Sequence, residues 1–164
     1  MAHRASSPPS VASAVVTISD TRTVDTDTSG NAICDLLTAA GHRIVARRLV
    51  RDEPGEVRSA LESLLSDLAI EAVITTGGTG VSSRDSTYEA ISGMLDKQLP
   101  GFGELFRMLS FDEIGAAAML SRATAGVARG KVVVALPGSE AAVRLAVTRL
   151  LVPELAHLVR EASR

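Results

Sequence analysis

Aromatic residues are nearly absent from this 164-residue chain: it has no tryptophan, one tyrosine and three phenylalanines, 2% in all. That leaves little for the stacking platforms on which single-stranded nucleic acids are held. An excess of one charge is missing too. Seventeen basic and nineteen acidic residues are interspersed to a net charge of −2, so there is no broad basic surface to attract phosphate backbones or anionic membranes. The expected partners therefore include no nucleic acid and no membrane. Cysteine occurs once. Cys34 falls among apolar residues of an expected helix with no histidine pattern beside it, and reads as a small core residue rather than a nucleophile. His3, His42 and His157 lack metal-ligand spacing, so no zinc site is suggested. Long apolar runs are lacking as well. Nothing is long enough to cross a bilayer, and the Ser/Pro-rich Met1–Ser13 has no signal-peptide stretch. The expectation is a soluble cytoplasmic protein with residues 1–13 as a loose N-terminal arm. Residues 14–164 are then one domain, large enough for a single core.

What the chain does have is a regular alternation of strand and helix signals. Ala14–Ser19 reads as a buried strand closing at Asp20. Polar Thr21–Gly30 forms a surface loop over its carboxyl end, and Asp27, Thr28 or Ser29 can cap a helix running to about Ala40, stopped by Gly41. Ile44–Val50 is a second strand. Pro54 opens a helix whose apolar set is Val57, Ala60, Leu61, Leu64, Leu65 and Leu68. Ala72–Thr76 is the third strand, and three such alternations predict an α/β fold, a parallel sheet with helices on its faces. After Pro100 a helix is expected with Leu105, Phe106 and Leu109 inward. Phe102, Phe106 and Phe111 cluster there, as a private core or as a subunit contact. Ala123–Val127 and Val132–Leu136 flank a tight turn and read as a hairpin, which makes the sheet partly mixed. Ser139 can cap the last helical region, which Pro153 breaks or kinks. Arg47, Arg48 and Arg51 read as a solvated strand edge.

The most informative stretch is Ala72–Asp85. Gly77, Gly78 and Gly80 follow the third strand directly, in the order strand, glycine loop, helix start that phosphate sites use. Ser86 would start the helix, with Glu89 completing a capping box. The loop is neither a P-loop nor GxGxxG, so the residues alone support an anion-binding loop, or a tight turn that binds nothing. Arg84 can pair with phosphate, whereas Asp85 beside a phosphate calls for a cation such as Mg²⁺ between them. Asp20, Asp52 and Asp85 follow strands one, two and three. In a parallel sheet that brings them to the carboxyl edge where ligands sit, though each can equally serve as a cap or turn former. Pro137-Gly138-Ser139 repeats the strand, glycine, helix-start order, as a second phosphate site or a simple connection with a capping serine.

Several motifs together carry a resemblance: Thr75-Thr76-Gly77-Gly78-Thr79-Gly80 with Arg84-Asp85, Pro100-Gly101-Phe102-Gly103-Glu104, Leu120-Ser121-Arg122-Ala123, Leu136-Pro137-Gly138-Ser139, and Ser19-Asp20. In this order they resemble the MogA/MoaB-like molybdopterin-binding family over Val15 to about Leu158. The run Ser19-Asp20-Thr21-Arg22-Thr23 is closer to the MoaB branch. The resemblance implies a three-layer α/β sandwich with a mostly parallel central sheet, assembled as a homotrimer or dimer of trimers. It implies transfer of AMP from ATP to the terminal phosphate of molybdopterin, with Mg²⁺ required and pyrophosphate released; a non-catalytic carrier or scaffold of the same pathway is the alternative. On this resemblance Thr76, Gly77, Gly78, Thr79 and Gly80 surround the pterin phosphate. Ser19, Asp20, Pro137, Gly138 and Ser139 line the same pocket, Asp52 and Asp85 are catalytic, and Asp85 positions the metal.

Overall fold

The computed structural model describes residues 9–164. The expected arm lies outside the described residues as far as residue 8. Its last part belongs to the sheet, since β1 spans Ala12–Ile18 and Val11, Ala12 and Ser13 are buried. There follow α1 (Thr28–Ala39), β2 (Arg43–Val50), α2 (Pro54–Leu65), β3 (Ala72–Thr76), α3 (Thr87–Ser92), β4 (Lys97–Gln98) and α4 (Pro100–Ile114). After a 3₁₀ segment at Gly115–Leu120 come β5 (Thr124–Ala128), β6 (Lys131–Leu136), α5 (Glu140–Ala146), a π-helical stretch at Val147–Leu151 and α6 (Val152–Ala162).

The strands form one sheet in the order β2-β1-β3-β6-β5-β4. β2, β1, β3 and β6 run parallel, and β5 and β4 join antiparallel. Alternation along each central strand explains the layers, because successive side chains leave opposite faces of a pleated strand. Val15, Ile74 and Val134 pack with Ile33, Leu37, Val143 and Leu155 on one face. Val16, Val73 and Val133 pack with Val57, Leu61, Leu64 and Ile91 on the other. Covered on both faces, β1, β3 and β6 read as continuous apolar runs. The turn Arg129–Gly130 takes positive φ at both residues, 51° and 75°, which matches the twist of the β5–β6 hairpin.

Some expectations fail for local reasons. Leu68 is 97% exposed, because α2 ends at Leu65 and the apolar spacing runs past it. Of the apolar side chains expected inward or clustered on α4 only Phe106 is buried, Leu109 is half-buried, Phe102 packs at the core's margin, and Leu105 and Phe111 are about half exposed at 48% and 59%. At Pro153 the helical run continues but changes form: Val147–Leu151 directly before it is π-helical and α6 follows, a local irregularity that accommodates the proline's missing N–H. His42 plays a structural part. Its Nδ1 accepts the Val11 N–H at 3.1 Å, and burial lowers its pKa, which keeps it an acceptor.

The layered core yields a paired prediction. Ile74→Ala removes a fully buried side chain from the central strand and is expected to cost about 2–5 kcal/mol in urea unfolding. Leu68→Ala should stay within about 0.5 kcal/mol of the parent.

Candidate functional site

A cleft of about 510 Å³ opens at the carboxyl ends of β1, β3 and β6. Every residue expected at the site lines it except Ser139, whose Oγ instead accepts the Ala142 N–H at 3.2 Å and caps α5. Asp20, Asp52 and Asp85 reach it from three separate crossings, as the parallel topology requires.

The floor is the glycine loop. Gly77 (φ 102°) still belongs to the sheet, donating its N–H to Leu136 O at 2.9 Å. A Cβ there would collide with the Ile18 carbonyl oxygen, and one at Gly78 (φ 72°) with Thr87 Oγ1, so neither position accepts another residue without strain. Beyond Gly77 the ladder stops. The N–H groups of Gly78, Thr79 and Gly80 find no acceptor among the described residues, and Gly78 and Gly80 are partly exposed. Two hydroxyls hold the loop after β6: Thr76 Oγ1, at the end of β3, donates to Pro137 O, and Ser29 Oγ, in the first turn of α1, to Gly138 O, each at 2.7 Å.

The acids differ in what they already hold. Asp52 is buried, and its Oδ1 accepts from Ser86 Oγ at 2.7 Å and Ser86 N–H at 3.3 Å. That explains why the expected capping box does not form. Ser86 turns to the buried carboxylate, and Glu89 turns to the guanidinium of Arg122, a stronger partner than a neutral N–H. Asp85 closes its own loop, its Oδ2 accepting the Ser82 N–H at 2.9 Å. Asp20 is fully engaged by Arg84 through two bonds of 3.1 Å and by the Asp52 N–H at 3.1 Å. The arginine's hydrogen bonds, followed by the Asp52 amide, hold its pKa below the usual carboxylate range. Ser19 is turned inward on its own turn, its Oγ accepting the N–H groups of Thr21 and Arg22.

Asp27 carries more than the helix-capping duty expected of it. Its Oδ1 takes the Gly30 N–H at 2.9 Å as a cap, while Oδ2 takes Thr17 Oγ1 at 2.6 Å and Arg47 at 2.9 Å. Burial alone would raise its pKa, but these three donors outweigh burial and hold it low. Thr17, Arg22 and Ser29 line the cleft in addition to the expected residues. Their signal is tertiary, a hydroxyl or guanidinium beside a strand end, and no local spacing reveals it.

The sequence and the fold are similar to those of known proteins. The family model described as "probable molybdopterin binding domain" matches residues 14–157. The chain belongs to this family. Within this molybdopterin-binding domain family its likeness is to the B-type members. A molybdenum cofactor biosynthesis protein B of Halalkalibacterium halodurans is 50% identical over 160 residues, covering 97% of this chain and 94% of the relative. A crystal structure of a molybdenum cofactor biosynthesis protein B superposes with a TM-score of 0.90 at 46% identity, covering 94% of this chain and 98% of that one. The tungsten cofactor synthesizing protein MoaB of Pyrococcus furiosus gives a TM-score of 0.86 at 37% identity, covering 96% and 99%.

Among the described residues no group of three or more His, Cys, Asp or Glu side chains could enclose a metal ion. Mg²⁺, however, commonly uses one or two carboxylates and takes its other ligands from phosphates and water. In this molybdopterin-binding domain Asp52 Oδ2 and Asp85 Oδ1 accept no hydrogen bond among the described residues, and both carboxylates line the cleft. That donor set fits such an ion.

The buried Asp27 cluster predicts an acid-sensitive fold. Because its folded pKa is depressed, its stabilisation is complete above the ordinary aspartate pKa of about 3.9 and is lost as pH falls through the lower folded value. Melting temperature followed against pH should therefore drop more steeply below about pH 4 in the parent than in Asp27→Asn. At neutral pH the variant should be less stable by about 1–3 kcal/mol.

Proposed function

We propose that the cleft binds molybdopterin and adenylylates it with ATP and Mg²⁺, in the cytoplasm. The observation that carries this reading is the joining, in one cleft, of three unpaired loop amides with two carboxylates that each keep one oxygen unpaired. An oxygen of the terminal phosphate of molybdopterin would form a bond to the α-phosphorus of ATP. The bond from that phosphorus to the bridging oxygen would break, and pyrophosphate would leave with the electron pair. No general base is required, since a phosphate monoester is largely ionised near neutral pH. The difficulty is electrostatic, because two anions must be held together. The amides of Gly78, Thr79 and Gly80, with that of Gly138 in the same lining, are preorganised donors that need no reorientation as charge develops. A bound Mg²⁺ would supply further charge neutralisation, held by Asp85 with Asp52 as a second carboxylate.

One observation favours the carrier reading as runner-up. Among the described residues the only basic side chains lining the cleft are Arg22 and Arg84, and both have partners: Arg22 bonds Thr26 O and Thr28 Oγ1, and Arg84 bonds Asp20 and Glu53. A carrier needs the pterin site without a free cation for a triphosphate. The readings separate in a pyrophosphate-release assay with molybdopterin, ATP and Mg²⁺. Turnover is expected in the parent and should fall about 100-fold or more in Asp52→Asn and in Asp85→Asn. Both variants keep the hydrogen-bonding shape of the carboxylate. Pterin binding with no product in the parent establishes the carrier.

We also propose assembly as a homotrimer or dimer of trimers. Leu105, Met108 and Phe111, exposed along α4, are the surface we assign to it. No described helix is long and apolar enough to cross a membrane. Sedimentation velocity should show a trimer or hexamer, and a monomer at micromolar concentration overturns the assignment.

A further inference from the structure

The glycine loop is fastened from behind. Three successive carbonyls each accept a hydrogen bond from the scaffold. Gly78 O takes the Thr87 N–H at 3.1 Å, and Thr79 O takes the Arg122 N–H at 3.0 Å. Gly80 O takes two bonds from the Arg122 side chain, Nε at 2.9 Å and Nη2 at 2.6 Å. No described peptide bond is cis. In a trans peptide the C=O and the following N–H point in opposite directions. Pinning these carbonyls therefore sets the directions of the Thr79, Gly80 and Val81 N–H groups. Arg122 lies outside the lining of the cleft while Thr79 and Gly80 lie in it, so the Gly80 N–H, opposed to the Thr79 carbonyl that the Arg122 backbone holds, points away from Arg122, and the Arg122 side chain fixes the loop one peptide further on, at Gly80 O.

The guanidinium is itself held on every side. Its Nη1 pairs with Glu89, Nη2 reaches the Asp85 carbonyl at 3.4 Å, and its carbon lies 5.0 Å from the centroid of the Tyr88 ring. Arg107 Nη1 in turn holds the carbonyls on either side of Arg122, Ser121 O at 3.4 Å and Ala123 O at 3.3 Å. A planar fork can serve the loop carbonyl with two donors and Glu89 with a third. A lysine ammonium is a point charge on a flexible stem and cannot span both partners.

We propose that Arg122 is a positioning residue for anion binding: it fixes the glycine loop from outside the cleft so that the loop amides form a cradle for a phosphate or pyrophosphate group. The inference rests on the proposed reading of the cleft as a phosphate site and assigns part of that site's preorganisation to one residue outside the cleft lining, its backbone N–H on Thr79 O and its side chain on Gly80 O. It also gives the Leu120-Ser121-Arg122-Ala123 motif a role distinct from that of the glycines.

The test uses the full chain and inorganic pyrophosphate, the product of the proposed reaction, so no turnover is needed. Titration followed by amide NMR should shift Gly78, Thr79 and Gly80 in the parent. In Arg122→Ala and Arg122→Lys the dissociation constant should rise about tenfold or more, as a hydrogen bond to a charged group is lost or misaimed. Glu89 is exposed, so Glu89→Gln should fold normally and weaken binding about two- to fivefold, the size of a surface ion pair. If Arg122→Ala does not fold, the other two variants decide. Parent-like affinity in Arg122→Lys overturns the positioning role, because it shows that charge alone suffices. A parent protein whose loop amides ignore pyrophosphate overturns the phosphate-site reading itself, and this proposal with it.

Discussion

The hydrogen bond from Gly77 N–H to Leu136 O, at 2.9 Å, is the last rung between β3 and β6, and the site begins where it ends. Up to that point β3 is paired on both sides, with β1 and with β6. One residue later the chain has turned through two positive-φ glycines, and its amides leave the ladder. A longer strand would bind those amides to a neighbour and close the cleft. An earlier turn would leave them buried without partners, at a cost of about 1–3 kcal/mol each. Partial exposure of Gly78 and Gly80 lets water satisfy them until a ligand arrives.

Three loops meet at this edge, and a chain of polar contacts ties them in register. Arg84, from the loop after β3, binds Asp20 after β1 and Glu53 after β2, while the Asp52 N–H also binds Asp20. These partners are exposed to solvent, where an ion pair contributes little net stability. Their effect is geometric. Asp20 serves as a post to which the other loops attach, and it leaves Asp52 and Asp85 as the carboxylates with an unpaired oxygen.

Much of this was legible in the sequence because parallel topology converts chain order into position. Three strand and helix alternations, each followed by an aspartate, suffice to bring Asp20, Asp52 and Asp85 to one edge, and the glycines mark where β3 stops. What the residues could not disclose was the choice among competing partners. Ser86 and Glu89 have capping-box spacing, yet Asp52 and Arg122 claim them from 34 and 33 residues away. Asp27 was readable as a cap, whereas its bonds to Thr17 and Arg47 depend on strands that meet only in the folded chain. Leu68 shows the converse error. Periodicity continued in sequence after the helix itself had ended, so an apolar residue with the right spacing stands in solvent.

The charge lining the cleft bears on what it can hold. Asp20, Asp27, Asp52 and Asp85 stand against Arg22 and Arg84, four acids to two bases, a formal balance of −2. Loop amides carry only partial positive charge, enough for one phosphate in a site that is otherwise neutral. Two phosphates brought together here would face both each other and the surplus acid. The engaged arginines cannot relieve that without releasing Asp20 or the Thr26 carbonyl, which would untie the loops that shape the cleft. On the proposed reading that positive charge would come from outside the chain: the oxygens of Asp52 and Asp85 that accept no hydrogen bond among the described residues would take a divalent cation without disturbing any described bond, and the same acids that repel a bare polyphosphate would favour one carrying its metal.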